Sequence, residues 1–278
     1  MQIDSHQHYW HPSRGDYGWM PKDGPLARPW LPSDLAPHLD EAGVAQTVIV
    51  QAAPSVAETE YMLGIADTTP SVAGVVGWVD FEDPANRAVL DRLRQHPKFV
   101  GVRPMIQDIP DPDWMFKTEV QWAFEAIIEF DICFDALGFP IHAKRFLSLL
   151  QRYPSLRTVL DHCLKPEIRN HSEPHDMAEW AEDMSALAAE TSAFCKLSGV
   201  ATEAAPGWTP ETLLPYLRHV LDCFGADRIM WGSDWPVLLI SGAGYLDWHG
   251  IAKHATAHLS EAEQARIFGG TAAEFYRL

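Results

Sequence analysis

The chain has 278 residues, 47% hydrophobic and 21% charged, and its 38 acidic against 21 basic side chains give a formal net charge of −17. Such a composition builds a folded protein with a large core and excludes a charge-rich, aromatic-poor disordered chain. The negative balance repels phosphate backbones and anionic lipid, so neither nucleic acid nor a membrane surface is an expected partner.

The chain opens Met1-Gln2-Ile3-Asp4-Ser5-His6, with no basic stretch followed by an apolar one, and no later apolar run approaches the ~18 residues of a membrane span. Cys133, Cys163, Cys195 and Cys223 are widely spaced and form no C-x-x-C pair. A reduced, cytoplasmic setting is expected. Short β-branched and aromatic runs follow at intervals of about thirty residues, the spacing of one strand plus one returning helix. Eight are predicted as strands, at 2–6, 46–52, 72–79, 99–105, 132–138, 156–161, 193–198 and 228–233. Most are uninterrupted, as in Thr47-Val48-Ile49-Val50, which suits parallel strands covered on both faces. The intervening segments carry helix-start signals such as Pro32-Ser33-Asp34-Leu35 and Asp83-Pro84-Ala85, and 85–95, 118–130, 143–153, 176–190 and 210–224 show helical periodicity. Strand then helix, eight times over, predicts an α/β protein of the (β/α)8 TIM-barrel type, with 1–278 as one domain. A doubly wound sheet would show fewer strands and an early glycine fingerprint, and no G-x-G-x-x-G follows the first strand. The span Gly15 to Pro32 reads as a long loop whose Tyr17, Trp19 and Trp30 are placed to cover a site.

In such a barrel the chemistry gathers just past the C-terminal ends of the strands. Strand one ends in His6-Gln7-His8, strand two in Gln51, strand four leads through Arg103 to Gln107 and Asp108, strand six ends Asp161-His162, strand seven adds Lys196 and Ser198, and strand eight ends Ser233-Asp234. An H-x-H pair on a strand places two imidazoles on one side, because side chains alternate with a period of two. Neutral imidazole ligates zinc or donates to a developing oxyanion, and a carboxylate beside it takes a proton from water. Each motif also has a plainer reading. His6 and His8 would be polar residues near a terminus, Asp234 a turn or cap aspartate, and His162 the satisfier of a buried carbonyl. Their joint appearance at strand ends favours His6, His8, His162 and Asp234 as the catalytic group and as the ligands of any metal. Gln51, Arg103, Gln107, Trp19, Trp30 and Lys165 are substrate-binding candidates, each open to a reading as a loop or core residue. His11, His38, His171, His175, His219, His249, His254 and His258 have no spacing that argues for a role.

The segments Ile3-Asp4-Ser5-His6-Gln7-His8-Tyr9-Trp10, Val48-Ile49-Val50-Gln51-Ala52, Gly101-Val102-Arg103, Leu160-Asp161-His162, Cys195-Lys196-Leu197-Ser198-Gly199 and Gly232-Ser233-Asp234-Trp235-Pro236-Val237 together resemble the amidohydrolase superfamily, nearly end to end. Within it the chain resembles the sugar-lactonase branch that includes L-fuconolactonases and L-rhamnonolactonases. The resemblance implies a (β/α)8 fold and hydrolysis of a small neutral aldonolactone, with L-fucono-lactone as the best single substrate. The branch's first-strand H-x-H falls on His6 and His8, its strand-six histidine on His162 and its strand-eight aspartate on Asp234. Two departures stand out. Relatives commonly read Gly-Val-Arg-His where this chain has Gly101-Val102-Arg103-Pro104, and metal-dependent members carry a histidine after strand five where this chain has Phe134-Asp135-Ala136-Leu137-Gly138, with His142 arriving late. The resemblance therefore implies one divalent ion at most, zinc, and one not strictly required. In this reading Asp234 is general base on water, the imidazoles or an ion they hold stabilise the oxyanion, and the protonated carboxyl supplies the leaving ring oxygen. A metal-dependent decarboxylase or another hydrolase on the same barrel is the alternative, and a non-catalytic ligand-binding barrel a further one.

Overall fold

The computed structural model describes residues 1–170 and 177–278. Eight parallel strands run in the order β1 (Gln2–Gln7), β2 (Val44–Val50), β3 (Val72–Gly77), β4 (Phe99–Val102), β5 (Cys133–Ala136), β6 (Thr158–Leu160), β7 (Phe194–Leu197) and β8 (Ile229–Trp231). The main helices between them are α1 (Pro32–Ala42), α2 (Val56–Thr68), α3 (Asn86–Leu93), α4 (Gln121–Glu129), α5 (Ala143–Arg152), α6 (Ala178–Glu190) and α7 (Pro210–Phe224), and α8 (Tyr245–Thr256), α9 (Glu261–Ala265) and α10 (Thr271–Tyr276) complete the chain. Each predicted strand is present, but β2, β3, β4, β5 and β8 stop two or three residues early, because the chain there leaves the ladder and turns over the top of the barrel. The five periodic segments correspond to α3 to α7, and position 176, at the start of the fourth, lies outside the described residues. Periodicity did not point to α2, whose buried set includes the polar Glu58 and Thr59.

β1 and β8 close the ring without a regular ladder. Asp234 N donates to His6 O at 2.8 Å, His8 N donates to Trp235 O at 2.7 Å, and Ser5 Oγ donates to Trp231 O at 2.7 Å. Asp4 braces the same seam: one carboxylate oxygen accepts from Ser233 N at 2.9 Å and His6 N at 3.1 Å, the other from Tyr245 Oη at 3.1 Å. Burial pushes the Asp4 carboxyl up to about 6, against the pull of those hydrogen bonds. The seam therefore holds the H-x-H pair and Asp234 in fixed register.

Ile3, Val48, Val50, Val76, Cys133, Val159 and Met230 form one cluster with Ala272, Phe275 and Tyr276. Strands as far apart in the ring as β2 and β6 meet this way only through the barrel interior, so α10 plugs its lower end. The fit is close, and a Cβ on Gly269 would lie 2.2 Å from Met1 O. A larger cluster fills the layer between strands and outer helices. No described helix is long and apolar enough to cross a membrane, and all four cysteines are free thiols.

Candidate active site

Alternation along the strands sets the upper interior. β5 passes from Cys133 to Asp135, β7 from Phe194 to Lys196 and Ser198, and β6 from Val159 to Asp161, so apolar residues below give way to charged ones above on the same face. At the top, four side chains converge. Asp234 Oδ1 lies 3.2 Å from His8 Nε2, 3.7 Å from His6 Nε2 and 3.9 Å from His162 Nε2. All four residues are buried.

Both Asp234 and His162 have left-handed backbone, each with φ of 55°. For His162 this begins a left-handed turn through Cys163, Leu164 and Lys165, with φ of 52°, 54° and 49°, which brings His162 and Lys165 to the same rim. Non-glycine residues seldom adopt this region, and a run of four is sustained only by its surroundings. Gly199, itself at φ 63°, leaves the space His162 needs, since a Cβ there would lie 2.4 Å from His162 Nδ1.

Hydrogen bonds orient the rings. His8 Nδ1 donates to Val50 O at 2.7 Å, leaving Nε2 toward Asp234. His162 Nδ1 pairs with Ser198 Oγ at 2.9 Å, and a hydroxyl serves there as donor or acceptor. With Ser198 donating, His162 presents Nε2–H to the cavity. His6 lies between two cations, with Lys196 Nζ 3.1 Å from Nδ1 and Arg103 Nη1 3.3 Å from Nε2. Burial and then Lys196 hold the His6 ring well below the ordinary histidine range, and burial holds His162 down at about 4, so both are neutral near pH 7. Burial opposes ionisation of Asp234, but His162, the close approach of His8, and His6 outweigh it and hold the carboxyl below its ordinary range.

Beneath lies a fully buried charge cluster. Lys196 pairs with Asp135, and its Nζ lies 3.0 Å from Asp161 Oδ1. Asp161 also pairs with Arg103 at 3.1 Å, and Tyr276 Oη donates to Asp135 at 2.8 Å. Burial raises Asp135 to about 6, while Asp161 is held well below its ordinary range because Lys196, His6 and Arg103 outweigh burial. Buried charges persist only when paired in this manner.

The cavity above has a volume of about 220 Å³ and is lined by His8, His162, Asp234, Arg103, Gln107, Lys165 and Trp19, with apolar walls from Leu26, Met105, Leu137, Val237 and Ile240. His6 sits fully buried just behind it. Of the other sequence candidates, Gln51 is turned away and donates to Arg103 O at 2.6 Å, and Trp30 packs edge-on against Trp235. Neither lines the cavity. His142 accepts from Phe139 N at 3.0 Å, as a local cap of its own turn. His38 stacks on Tyr245, His219 donates to Ala181 O and His249 pairs with Gln2, while His171 and His175 lie outside the described residues. The sequence reading missed Asp4, Asp135 and Tyr276. The first two carry a signal, Asp4 as an acid two residues before His6 and Asp135 as an acid that interrupts the apolar run 132–137, but Tyr276 carries none.

The donor set suits a divalent ion. The ligand atoms of His6, His8 and Asp234 lie within 4.8 Å of one another, as do those of His6, Asp161 and His162. Imidazole nitrogen with carboxylate oxygen is a zinc-type combination, and His8, with Nδ1 committed to Val50, has Nε2 directed inward.

Eight parallel strands, an H-x-H pair, a strand-six histidine and a strand-eight aspartate at the upper rim define a barrel hydrolase. The amidohydrolase family profile matches residues 3–278, and the chain belongs to that family. Over the whole of this chain and 96% of each relative, it is 41% identical to an L-fucono-1,5-lactonase of Burkholderia ambifaria and 33% identical to one of Burkholderia multivorans. A crystal structure of an amidohydrolase from Burkholderia multivorans with bound Zn superposes with a TM-score of 0.93 at 31% identity, covering 100% of this chain and 99% of that one.

Proposed function

We propose that residues 1–278 act as one hydrolase domain that opens an aldonolactone to the aldonic acid, with L-fucono-1,5-lactone as the substrate. The observation that carries this reading is the convergence of three imidazoles on Asp234 beside a cavity of about 220 Å³ that Arg103 also lines. The two lactonase relatives support the choice of substrate.

Asp234, ionised at neutral pH, is placed as general base on a water over the lactone carbonyl. His8 Nε2 lies 3.2 Å from the carboxylate on one side. His162, which presents Nε2–H when Ser198 donates to Nδ1, borders the place where the oxyanion forms, with His6 behind it. A carboxyl with a low proton affinity is a weak base, yet once protonated it is a strong acid toward the leaving ring oxygen. A lactone, as an activated ester, tolerates the first property and uses the second. Gln107 Oε1, buried without a partner, and Lys165 are placed to meet the lactone hydroxyls. Zinc, where present, would be held by His6, His8, His162 and Asp234 and would supply a Lewis acid for the carbonyl oxygen. The reaction suits a cytoplasmic protein with free thiols.

The test is a pH-indicator screen of aldonolactones, with and without chelator. Turnover of L-fucono-1,5-lactone above related sugar lactones is expected, and no turnover of any aldonolactone in either condition sinks the proposal.

A further inference from the structure

We propose that Arg103 is a catalytic residue and the site's built-in cation: its guanidinium and a divalent ion compete for the same corner at His6 Nε2. This rests on the lactonase reading for its chemistry, but the competition itself is independent of the substrate.

Three observations carry it. Arg103 Nη1 lies 3.3 Å from His6 Nε2, the atom that a metal held with His8 and Asp234 would need. A neutral imidazole has one lone pair: with Nδ1–H turned to Asp161 Oδ1, 3.5 Å away, that lone pair lies on Nε2, and a ring nitrogen accepting from a guanidinium cannot also ligate an ion. Arg103 is also fastened in that position. Asp161 holds Nη1 at 3.1 Å, Gln51 O accepts from Nη2, and Gln51 Nε2 donates back to Arg103 O at 2.6 Å. Gln51 thus acts through Arg103 as a positioning residue. Finally, Arg103 borders the cavity, only 3% exposed, and its Nε–H is buried with no partner. A buried donor left unpaired is costly, so its retention points to an acceptor that arrives with the substrate.

The chemistry follows from the charge. As water adds and Asp234 takes its proton, the lactone carbonyl oxygen becomes negative, and Arg103 offers a permanent positive charge in a site shielded from water. It performs the neutralising task for which other sites recruit a metal ion, and a bound ion must push it from His6 Nε2.

The experiment compares wild type with Arg103→Met, both stripped by chelator. Zinc affinity is read by competition with a chromophoric chelator and should tighten at least ~10-fold in the variant, because the competing charge is gone. Metal-free kcat should fall ~100-fold or more, the scale of one lost oxyanion donor, and return in part with added methylguanidinium. Unchanged zinc affinity, or full metal-free kcat in the folded variant, overturns the proposal. If circular dichroism shows that Arg103→Met is unfolded, Arg103→Gln, which retains polar contacts to Asp161 and Gln51, carries the same two readouts. If wild type turns over no lactone while the zinc shift appears, the competition stands and the lactonase reading fails.

Discussion

The two ends of the barrel are made from the same strands and behave as opposites. Below, Ile3, Val48, Val76, Val159 and Met230 close against Phe275 and Tyr276 of α10, with ordinary backbone and apolar packing. Above, two residues further along β5, β6 and β7, the interior holds Asp135, Asp161 and Lys196, and beyond them lie left-handed His162 and Asp234. The lower end gains stability from removing apolar surface from water. The upper end spends some of it on buried charges and strained turns, and gains an oriented site. A residue in the lower cluster should therefore control folding and leave turnover per folded molecule alone, while one at the rim should do the reverse.

The largest expected effect is at the rim. Asp234→Asn should lower kcat by a factor of about 10³ or more with little change in melting temperature, since the amide keeps the shape but not the base. Near-normal turnover in that variant would remove the rim's chemical role. At the other end, Phe275→Ala should cost about 3–5 kcal/mol of stability by denaturant titration, with kcat per folded enzyme unchanged. A large loss of kcat there would show that the two ends are not separable.

Gly199→Ala tests the strained turn. The added methyl meets His162 Nδ1 and is disfavoured by the glycine's positive φ, so kcat should fall ~10²-fold with a smaller loss of stability. The pH profile is subtler. With His162 depressed to about 4, its neutral form persists well below the ordinary histidine range, so kcat should stay level from pH 7.5 to about 5 and fall only as His162 gains its proton. An acid limb centred near 6.5 would contradict that burial. The stability linkage has the same sign. A histidine depressed in the folded state contributes fully above 6.5, and this contribution is lost as pH falls toward 4 while the unfolded chain alone takes up protons. Asp4 and Asp135, raised to about 6, shift stability the opposite way over the same range, so the His162 contribution is read as a difference: between pH 7 and pH 5, wild type should lose more stability, or gain less, than His162→Gln in chemical denaturation.

Among the site residues, those legible in the sequence were polar residues that interrupt an apolar run. His6, His8, His162 and Asp234 each follow a strand, and a barrel places strand ends together, so period and position sufficed to group them. Gln51 and Trp30 stood in equally suggestive places, yet one braces Arg103 O and the other packs on Trp235. Side-chain direction in a loop is set by its neighbours, and spacing does not carry it.

The sequence by itself determined the eight strand–helix repeats, the barrel and its four central residues, because hydrophobic period and strand-end position are local properties. Only the tertiary structure decided which cations flank His6, which carboxylates share Lys196, and that Tyr276, at the far end of the chain, bonds to Asp135 beneath the site. Those are contacts between residues from 35 to 190 positions apart. Burial and proximity, which set charge and hydrogen-bond direction, exist only once the ring of strands has closed.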